Sequence, residues 1–332
     1  MKVLFIASGG PQRPSTRLRI LQFLPFLEKN GLSCSIFYFK KKCIIRLLLL
    51  LRSYDVIVIQ KIIFPIWFFN LLSQFNSKII FDFDDAIYVN HPQCNIDEKS
   101  LKLRRKRLRV ILSKVKAVIV GNHILADYAK KYNPRCFILP TIPPKNGHES
   151  AHAKGENIVI GWIGTKNNLI YLKALNRVFE YIGAKYSEKI ILKIVSDGKF
   201  SCEKIKVDNK KWKLEEENQD LSSFDIGIMP LTDDEYSRGK CAFKILQYMR
   251  FGIPVVASPV GINDQILNVS QGGFLAKTPE EWIEKLSLLI ENSALRKKLG
   301  TNGKNFVNNQ FDTDAIAKEI ISIIRFVANN IS

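Results

Sequence analysis

The sequence predicts an α/β protein built from two doubly wound domains. Three observations support this. Short apolar runs of strand length alternate with helix-length stretches along the whole chain. That alternation is interrupted once, around residues 143–155. The 332 residues suffice for two ordinary domains, each with its own core.

In the first half, strands are expected at Val3–Ser8, Ser33–Phe39, Val56–Gln60, Lys78–Asp82, Ala117–Val120 and Phe137–Leu139. Several are apolar throughout, as strands buried on both faces of a parallel sheet are. The stretch from Pro143 to Gly155 is rich in Pro, Gly, Ser and Asn and lacks apolar periodicity, so it reads as a linker. Beyond it, strands are expected at Ile158–Ile163, Ile190–Val195, Phe224–Met229, Val255–Ala257 and Gly273–Ala276. A final helix over Asp312–Val327 has Asp312 as its N-cap and an apolar stripe through Ile316, Ile320, Ile323 and Val327. The domains therefore divide as 1–145, 156–311 and a terminal helix over 312–332.

Composition narrows the class. A hydrophobic content of 46% is that of a soluble globular chain, and no apolar run reaches the roughly 18 residues of a membrane span. Val3–Ala7 is too short for the apolar core of a signal peptide and reads as the first strand. The six cysteines are dispersed without C-x-x-C spacing, which suits reduced, mostly buried thiols in the cytoplasm. Charge is lopsided: residues 1–145 carry 25 Lys and Arg against 8 Asp and Glu, a net +17 of the chain's +19. A half this basic calls for an anionic partner, whether nucleic acid, an acidic membrane surface or a lipid phosphate. Lys40, Lys41 and Lys42 precede an Ile- and Leu-rich stretch, and Trp67, Phe68 and Phe69 follow in the next. That mixture suits a helix lying on a bilayer better than a groove reader, although core helices with lysine rims look the same.

The most informative stretch is Phe224–Asn263, FDIGIMPLTDDEYSRGKCAFKILQYMRFGIPVVASPVGIN, in which two strand patterns flank a helix expected over Cys241–Phe251. Such a unit aims its loops at the carboxyl edge of a sheet, where open α/β folds bind ligands. Arg238, Lys240 and Lys244 surround the expected helix start, and Gly239 and Gly261 would let backbone amides approach an anion. Lys240 and Lys244, four apart, would share a helix face. The same spacing also fits a solvated basic helix face.

Several chemistries are poorly supported. Gly9-Gly10-Pro11 follows the first strand, but there is no G-x-G-x-x-G, no Walker loop, no G-x-S-x-G and no H-E-x-x-H. Asp82, Asp84 and Asp85 could suggest a metal site. Asp84 and Asp85 read better as hydrogen-bonding groups for a sugar or as caps of the following loop.

The words FDIGIMPL, RGKCAFKILQYM and GIPVVASPVG, in that order, resemble the donor-binding half of GT-B glycosyltransferases of the family 4 (group 1) type. STRLRILQFLPFLEKNG, FDFDDAIY, VGNHILADYAKKYNPRCFILPT and IGWIGTKNNLIYL agree with the wider pattern, so the resemblance spans nearly the whole chain. It implies a GT-B fold: two Rossmann-like domains facing across a cleft, with the last helix packing back on the first. It further implies transfer of a sugar from a nucleoside diphosphate sugar to a glycan or lipid-linked glycan acceptor. Retention of configuration, no metal and no cofactor are expected, at the cytoplasmic membrane face and in cell-surface polysaccharide biosynthesis.

Residue roles follow from the resemblance. The family's usual Arg and Lys after the first strand of this half are absent, since Thr165-Lys166-Asn167-Asn168 stands there, so it is the charge of Lys240, Lys244 and Arg238 that would neutralise the departing diphosphate, with Asp84 and Asp85 near the reacting sugar. Gly161, Gly164 and Thr165 would admit phosphate, and Trp212 and Glu217 would take nucleobase and edge contacts. A Trp packed under a loop is the plainer alternative. Gly10, Arg17, Arg19, Asn122 and His123 fall on the acceptor side, with Ser15-Thr16 capping the first helix and His123 as an acceptor-side base or a structural histidine. The chain departs from the family at its two acidic positions, where Gly239 and Gln247 stand. That departure keeps a second expectation open, a nucleotide-sugar-binding homologue with little turnover. A basic nucleic-acid-binding protein would explain the charge but none of the ordered motifs.

Overall fold

The computed structural model describes residues 1–40, 44–94, 96–145 and 157–329. Lys41 and Lys42 of the basic run, and most of the expected linker, lie outside the described residues. The chain forms two compact units. The first comprises Met1–Pro144, Arg238–Cys241 and Thr313–Ser332, and the second Lys145–Ser237 and Ala242–Asp312.

In the first unit, β1 (Lys2–Ala7) leads through α1 (Pro14–Arg19) and α2 (Leu24–Lys29) to β2 (Ser33–Tyr38), and α3 (Ile44–Leu51) leads to β3 (Val56–Gln60). α4 (Ile66–Phe75), β4 (Ile79–Phe83), α5 (Glu98–Lys114), β5 (Ala117–Val120), α6 (His123–Lys130) and β6 (Cys136–Ile138) follow. All pairings are parallel, in the order β2-β1-β3-β4-β5-β6. β3, β4 and β5 are buried at every residue, which is why they read as apolar runs broken only by Gln60 and Asp82 at the carboxyl ends of β3 and β4. Parallel pairing sends the carboxyl ends to one edge, and the β3–β4 register sets Gln60 opposite Asp82 there.

The second unit is wound in the same way. Its elements are β7 (Ile158–Ile163), α7 (Leu169–Lys173), α8 (Asn176–Tyr186), β8 (Ile190–Ser196), β9 (Val207–Lys211), α9 (Glu217–Ser222) and β10 (Ile226–Met229). α10 (Glu235–Arg238), α11 (Phe243–Arg250), β11 (Val255–Ala257), α12 (Asn263–Ser270), β12 (Gly273–Leu275), α13 (Pro279–Glu291) and α14 (Ser293–Gln310) complete it. The order is β12-β11-β10-β7-β8-β9, again all parallel. Its core joins Ile160, Trp162, Phe179, Ile194, Ile228 and Leu286.

The last helix, α15 (Thr313–Asn329), belongs to the first unit and lies against α2, β3 and β4. Ile316, Ile320, Ile323 and Val327 are buried, so the expected stripe is the packing face. The helix begins at Thr313, one residue after the expected cap Asp312. β9 was not expected: VDNKK carries three charged residues and one apolar one, as an edge strand can. Of the five cysteines among the described residues, all are free thiols, but only Cys241 is buried and Cys94 is exposed. The expectation of mostly buried thiols is corrected accordingly.

Candidate functional site

At the carboxyl edge of the second sheet, β7 runs into Gly164, and α11 starts close by. A Cβ on Gly164 would sit 2.7 Å from the Trp162 ring and 3.1 Å from Lys244 Cε, so glycine here makes room for the indole, and the lysine stem lies across the same strand end. The Lys244 ammonium stands 5.6 Å from the Trp162 ring centroid, a cation–π arrangement that holds it at the edge. Ala242, the residue before α11, has no side chain able to cap it. The first-turn amides and the positive end of the helix dipole lie beside Lys244. Thr165 is exposed and accepts a hydrogen bond from Asn168 Nδ2 at 3.1 Å. Gly261 takes a left-handed φ of 61° in the turn between β11 and α12, a conformation for which glycine is suited.

Deeper along α11, three predicted residues meet. Trp212 Nε1 donates to Glu217 Oε2 at 2.8 Å, and Gln247 Nε2 donates to Glu217 Oε1 at 3.2 Å. Glu217 and Gln247 are buried, at 7% and 4% exposure. The amide of Gln247 can approach Glu217 as a donor, which a second carboxylate could not do without charge repulsion.

Other predicted donor residues stand elsewhere. Gly161 lies within β7, where a Cβ would fall 2.0 Å from Phe224 Cγ, so it makes room for an aromatic ring rather than for phosphate. Lys240 and Lys244 do not share a helix face, because Ala242 adopts φ 48° and α11 begins only at Phe243. Residues 238–241 belong to the first unit. There Asn122 Nδ2 donates to the carbonyls of Gly239 and Lys240 at 3.0 and 3.1 Å. Gly239 is not a helix start: a Cβ on it would lie 2.7 Å from Ala86 Cβ and 3.2 Å from Leu125 Cδ2, so the residue is glycine for close packing. Arg238 is exposed at the end of α10.

The carboxyl edge of the first sheet gathers charge. Arg19 is not on the surface: its Nε lies 2.9 Å from Asp82 Oδ2, and its Nη1 donates to Leu139 O and Thr141 Oγ1, both at 3.0 Å. The guanidinium expected to grip an acceptor is therefore committed to the fold. Burial lifts the Asp82 carboxyl above its ordinary value against the opposing pull of Arg19. Lys61 holds the neighbouring carboxylates: its ammonium pairs with Asp84, meets Asp85 Oδ2 at 2.6 Å and donates to Ser15 Oγ at 3.1 Å. Burial pushes Asp84 up, but Lys61 and then Arg19 outweigh it and hold the carboxyl at about 2. Thr141 Oγ1 adds a hydrogen bond to Asp84 Oδ2 at 2.9 Å. Burial raises the Cys241 thiol, which donates to the Asp84 carbonyl at 3.1 Å. A Cβ on Gly121 would fall 2.2 Å from that sulfur, so this glycine admits the 238–241 segment.

Of this set, Asp85 retains the most exposure, 34% at its side chain, and is the group best placed to meet a ligand. Gly10 opens on empty space, and Arg17 is half-buried on α1. Ser15 and Thr16 do not cap α1: Arg13 occupies that position with Pro14 following, and Thr16 Oγ1 donates to Gly9 O at 3.1 Å. Asn122 caps α6 by accepting from Leu125 N, which corrects its expected role as an acceptor contact, and His123 is exposed in the first turn. Among the described residues no group of three or more His, Cys, Asp or Glu is placed to hold a metal ion.

Sequence reasoning missed Lys61. Its φ of 56° is rare for a residue with a side chain, and its N–H donates to Asp82 O at 2.8 Å. The available signal was a lone cation directly after the strand Val56–Gln60, with three aspartates, Asp82, Asp84 and Asp85, at the end of the next strand.

Two parallel six-stranded Rossmann-like sheets, each with its loops gathered at the carboxyl edge, define the GT-B fold. Anabaena HepE, solved with UDP and glucose, matches with a TM-score of 0.71 at 15% identity, covering 98% of this chain and 99% of that one. Sucrose-phosphate synthase from Thermosynechococcus elongatus matches at 0.68 and 14%, covering 98% and 99%. WaaG, a glycosyltransferase involved in lipopolysaccharide biosynthesis, matches at 0.68 and 12%, covering 97% and 99%. Residues 158–292, within the second unit, match the family described as glycosyl transferases group 1. An uncharacterized glycosyltransferase of Methanocaldococcus jannaschii is 35% identical over 110 residues, which span 31% of this chain and 28% of that protein.

Proposed function

We propose that the protein transfers a sugar from a nucleoside diphosphate sugar to a glycan or lipid-linked glycan acceptor, with retention and without metal. Cleavage of the anomeric C–O bond builds oxocarbenium character on the sugar and negative charge on the departing diphosphate, so positive groups must meet that charge. The observation that carries the reading is the placement of Lys244 across Gly164 in the first turn of α11, within the segment that matches the group 1 family. Lys244 and the first amides of α11 receive the diphosphate, and the Trp212–Glu217–Gln247 cluster borders the nucleoside. HepE, with the same fold, has been solved with UDP-glucose, which supports a nucleotide-sugar donor. WaaG's part in lipopolysaccharide biosynthesis supports a place in cell-surface polysaccharide assembly.

The test begins with a thermal-shift panel of UDP, GDP, ADP, CMP and dTDP, since a ligand selective for the folded state raises the melting point. The diphosphate that stands out is then compared with its nucleoside on Lys244→Ala. A greater loss for the diphosphate is expected; equal losses would remove the phosphate role.

One observation favours a second reading. Gly239 stands at one of the family's acidic positions, and its contact with Ala86 leaves no room for a carboxylate. A sugar-nucleotide-binding homologue with little turnover fits that geometry. Release or transfer of label from a radiolabelled donor supports the enzyme, and binding with neither supports the homologue.

A further inference from the structure

α3, α4 and α5 each follow one strand of the first sheet and precede the next in the same lateral direction. Right-handed crossovers therefore set them side by side on one face, with their N-termini towards the carboxyl edge. Their outward sides carry the three most exposed large hydrophobic side chains among the described residues: Ile45 at 76%, Leu49 at 72% and Trp67 at 66%. Leu103 on α5 adds another at 44%. Ile45 and Leu49 are four apart and share a face of α3, while Ile45 and Trp67 stand in the first turns of α3 and α4. Trp67 is held edge-on by Phe68 at 5.6 Å, and Phe68 by Phe64 at 5.1 Å, so a packed aromatic base presents the indole to solvent.

Charge accompanies this apolar surface. α5 contains eight Lys and Arg against the single acid Glu98. Arg105 turns inward to the Tyr88 carbonyl, whereas Lys99, Leu103, Lys106 and Val110 recur at helical spacing on the side away from the core. Lys114 Nζ donates to Asn70 Oδ1 of α4 at 2.8 Å, tying the basic helix to the one that carries Trp67. Arg46 lies exposed between Ile45 and Leu49.

We propose that the outer face of α3, α4 and α5 docks on an anionic phospholipid bilayer. Ile45, Leu49 and Trp67 enter the boundary between headgroups and acyl chains, and Lys99 and Lys106 meet the lipid phosphates. A bilayer fits where a nucleic acid does not, because phosphates alone give aliphatic side chains and an indole no apolar phase to enter. The inference deepens the proposed function by placing a lipid-linked acceptor beside the edge that carries Asp85, and it rests on that reading only for its purpose.

The experiment is co-sedimentation of the full chain with vesicles of phosphatidylcholine alone and with roughly 30 mol% phosphatidylglycerol. Binding to the anionic vesicles is expected to be at least about tenfold stronger. Ile45→Ser/Leu49→Ser/Trp67→Ser should weaken it about tenfold or more, and Lys99→Gln and Lys106→Gln about fivefold each. Brominated lipids should quench the unmodified chain's tryptophan emission, and Trp67→Phe should remove that quenching. Absence of binding to either vesicle, equal binding to both, or a triple variant that binds like the parent would overturn the proposal. So would duplex DNA binding lost on adding salt, together with no bromolipid quenching. Nucleoside diphosphate binding measured on the same variants stays unchanged, which separates failure of the docking surface from failure of the enzymatic reading.

Discussion

The Arg19 guanidinium forks onto the Asp82 carboxylate, with Nη2 2.5 Å from Oδ1 and Nε 2.9 Å from Oδ2, while their side chains are 5% and 8% exposed. The same guanidinium satisfies Leu139 O and Thr141 Oγ1, so one side chain joins α1, β4 and the chain after β6. Removing one partner of a buried pair strands the other charge. Arg19→Ala should therefore cost about 3–5 kcal/mol, read from the denaturant midpoint. Arg19→Lys should recover only part of it, since an ammonium cannot reproduce the two-pronged contact. A loss for Arg19→Ala of under about 1 kcal/mol would show the pair to be dispensable.

Lys61 and Asp84 set a pH dependence. Asp84 is lowered from its ordinary 3.8 to about 2 in the folded chain, so the folded state favours the ionised carboxylate. Its contribution is complete above the unfolded value and is lost as pH falls from about 4 to about 2, amounting to about 2 kcal/mol. Asp82 is shifted the other way and contributes the opposite slope. Acid unfolding of the parent and of Asp84→Asn should differ in this window, with the variant's stability falling less steeply. Parallel curves would remove Asp84 from the account.

Lys61 also carries a backbone test. At φ 56° a side chain is strained, and glycine is not. Lys61→Ala and Lys61→Gly both lose the pairs to Asp84 and Asp85, yet the glycine variant should be the more stable by about 1 kcal/mol. Urea midpoints of the two variants decide the matter, and an alanine variant equal to or better than glycine would argue against strain at this position.

Much of the fold was legible because buried parallel strands cannot hide: Val56–Gln60, Ala117–Val120, Ile158–Ile163 and Val255–Ala257 have the expected bounds. The site was less so. Arg19 and Asp82 look like surface groups until the fold brings residues 63 apart together, and no local pattern encodes such a pairing. Lys240 was read onto a helix because Cys241–Phe251 has helical apolar spacing, whereas the left-handed Ala242 depends on neighbours distant in sequence. Gly161 and Gly164 look alike in sequence, three apart near the end of one strand. Phe224 packs on the first and Lys244 crosses the second, a distinction set wholly by tertiary contacts.

Gly161 and Phe224 should behave as a coupled pair. A Cβ at residue 161 would fall 2.0 Å from Phe224 Cγ, so the ring must move or the strand must shift. Gly161→Ala is expected to cost about 1–3 kcal/mol. Adding Phe224→Leu should destabilise the alanine background less than it does the parent, because the smaller side chain relieves the overlap. Strict additivity of the two thermal or urea measurements would show that the contact relaxes without cost.

Gln247 stands where the resembled family carries an acidic residue, and the reason lies in Glu217, whose Oε1 accepts from Gln247 Nε2 at 3.2 Å. Replacing the amide by a carboxylate, Gln247→Glu, removes a donor and sets two like charges together in a buried place. One carboxyl of that pair would hold its proton above the ordinary range. The variant's stability should therefore be greatest at acidic pH and fall as pH rises towards neutrality, the reverse of the Asp84 effect. A penalty of about 1–3 kcal/mol at pH 7.5, largely recovered near pH 4.5, is the expected outcome from denaturant midpoints at the two values. If the penalty is the same at both, charge repulsion is not what selects the amide, and the shape of the Trp212–Glu217–Gln247 cluster would have to account for it.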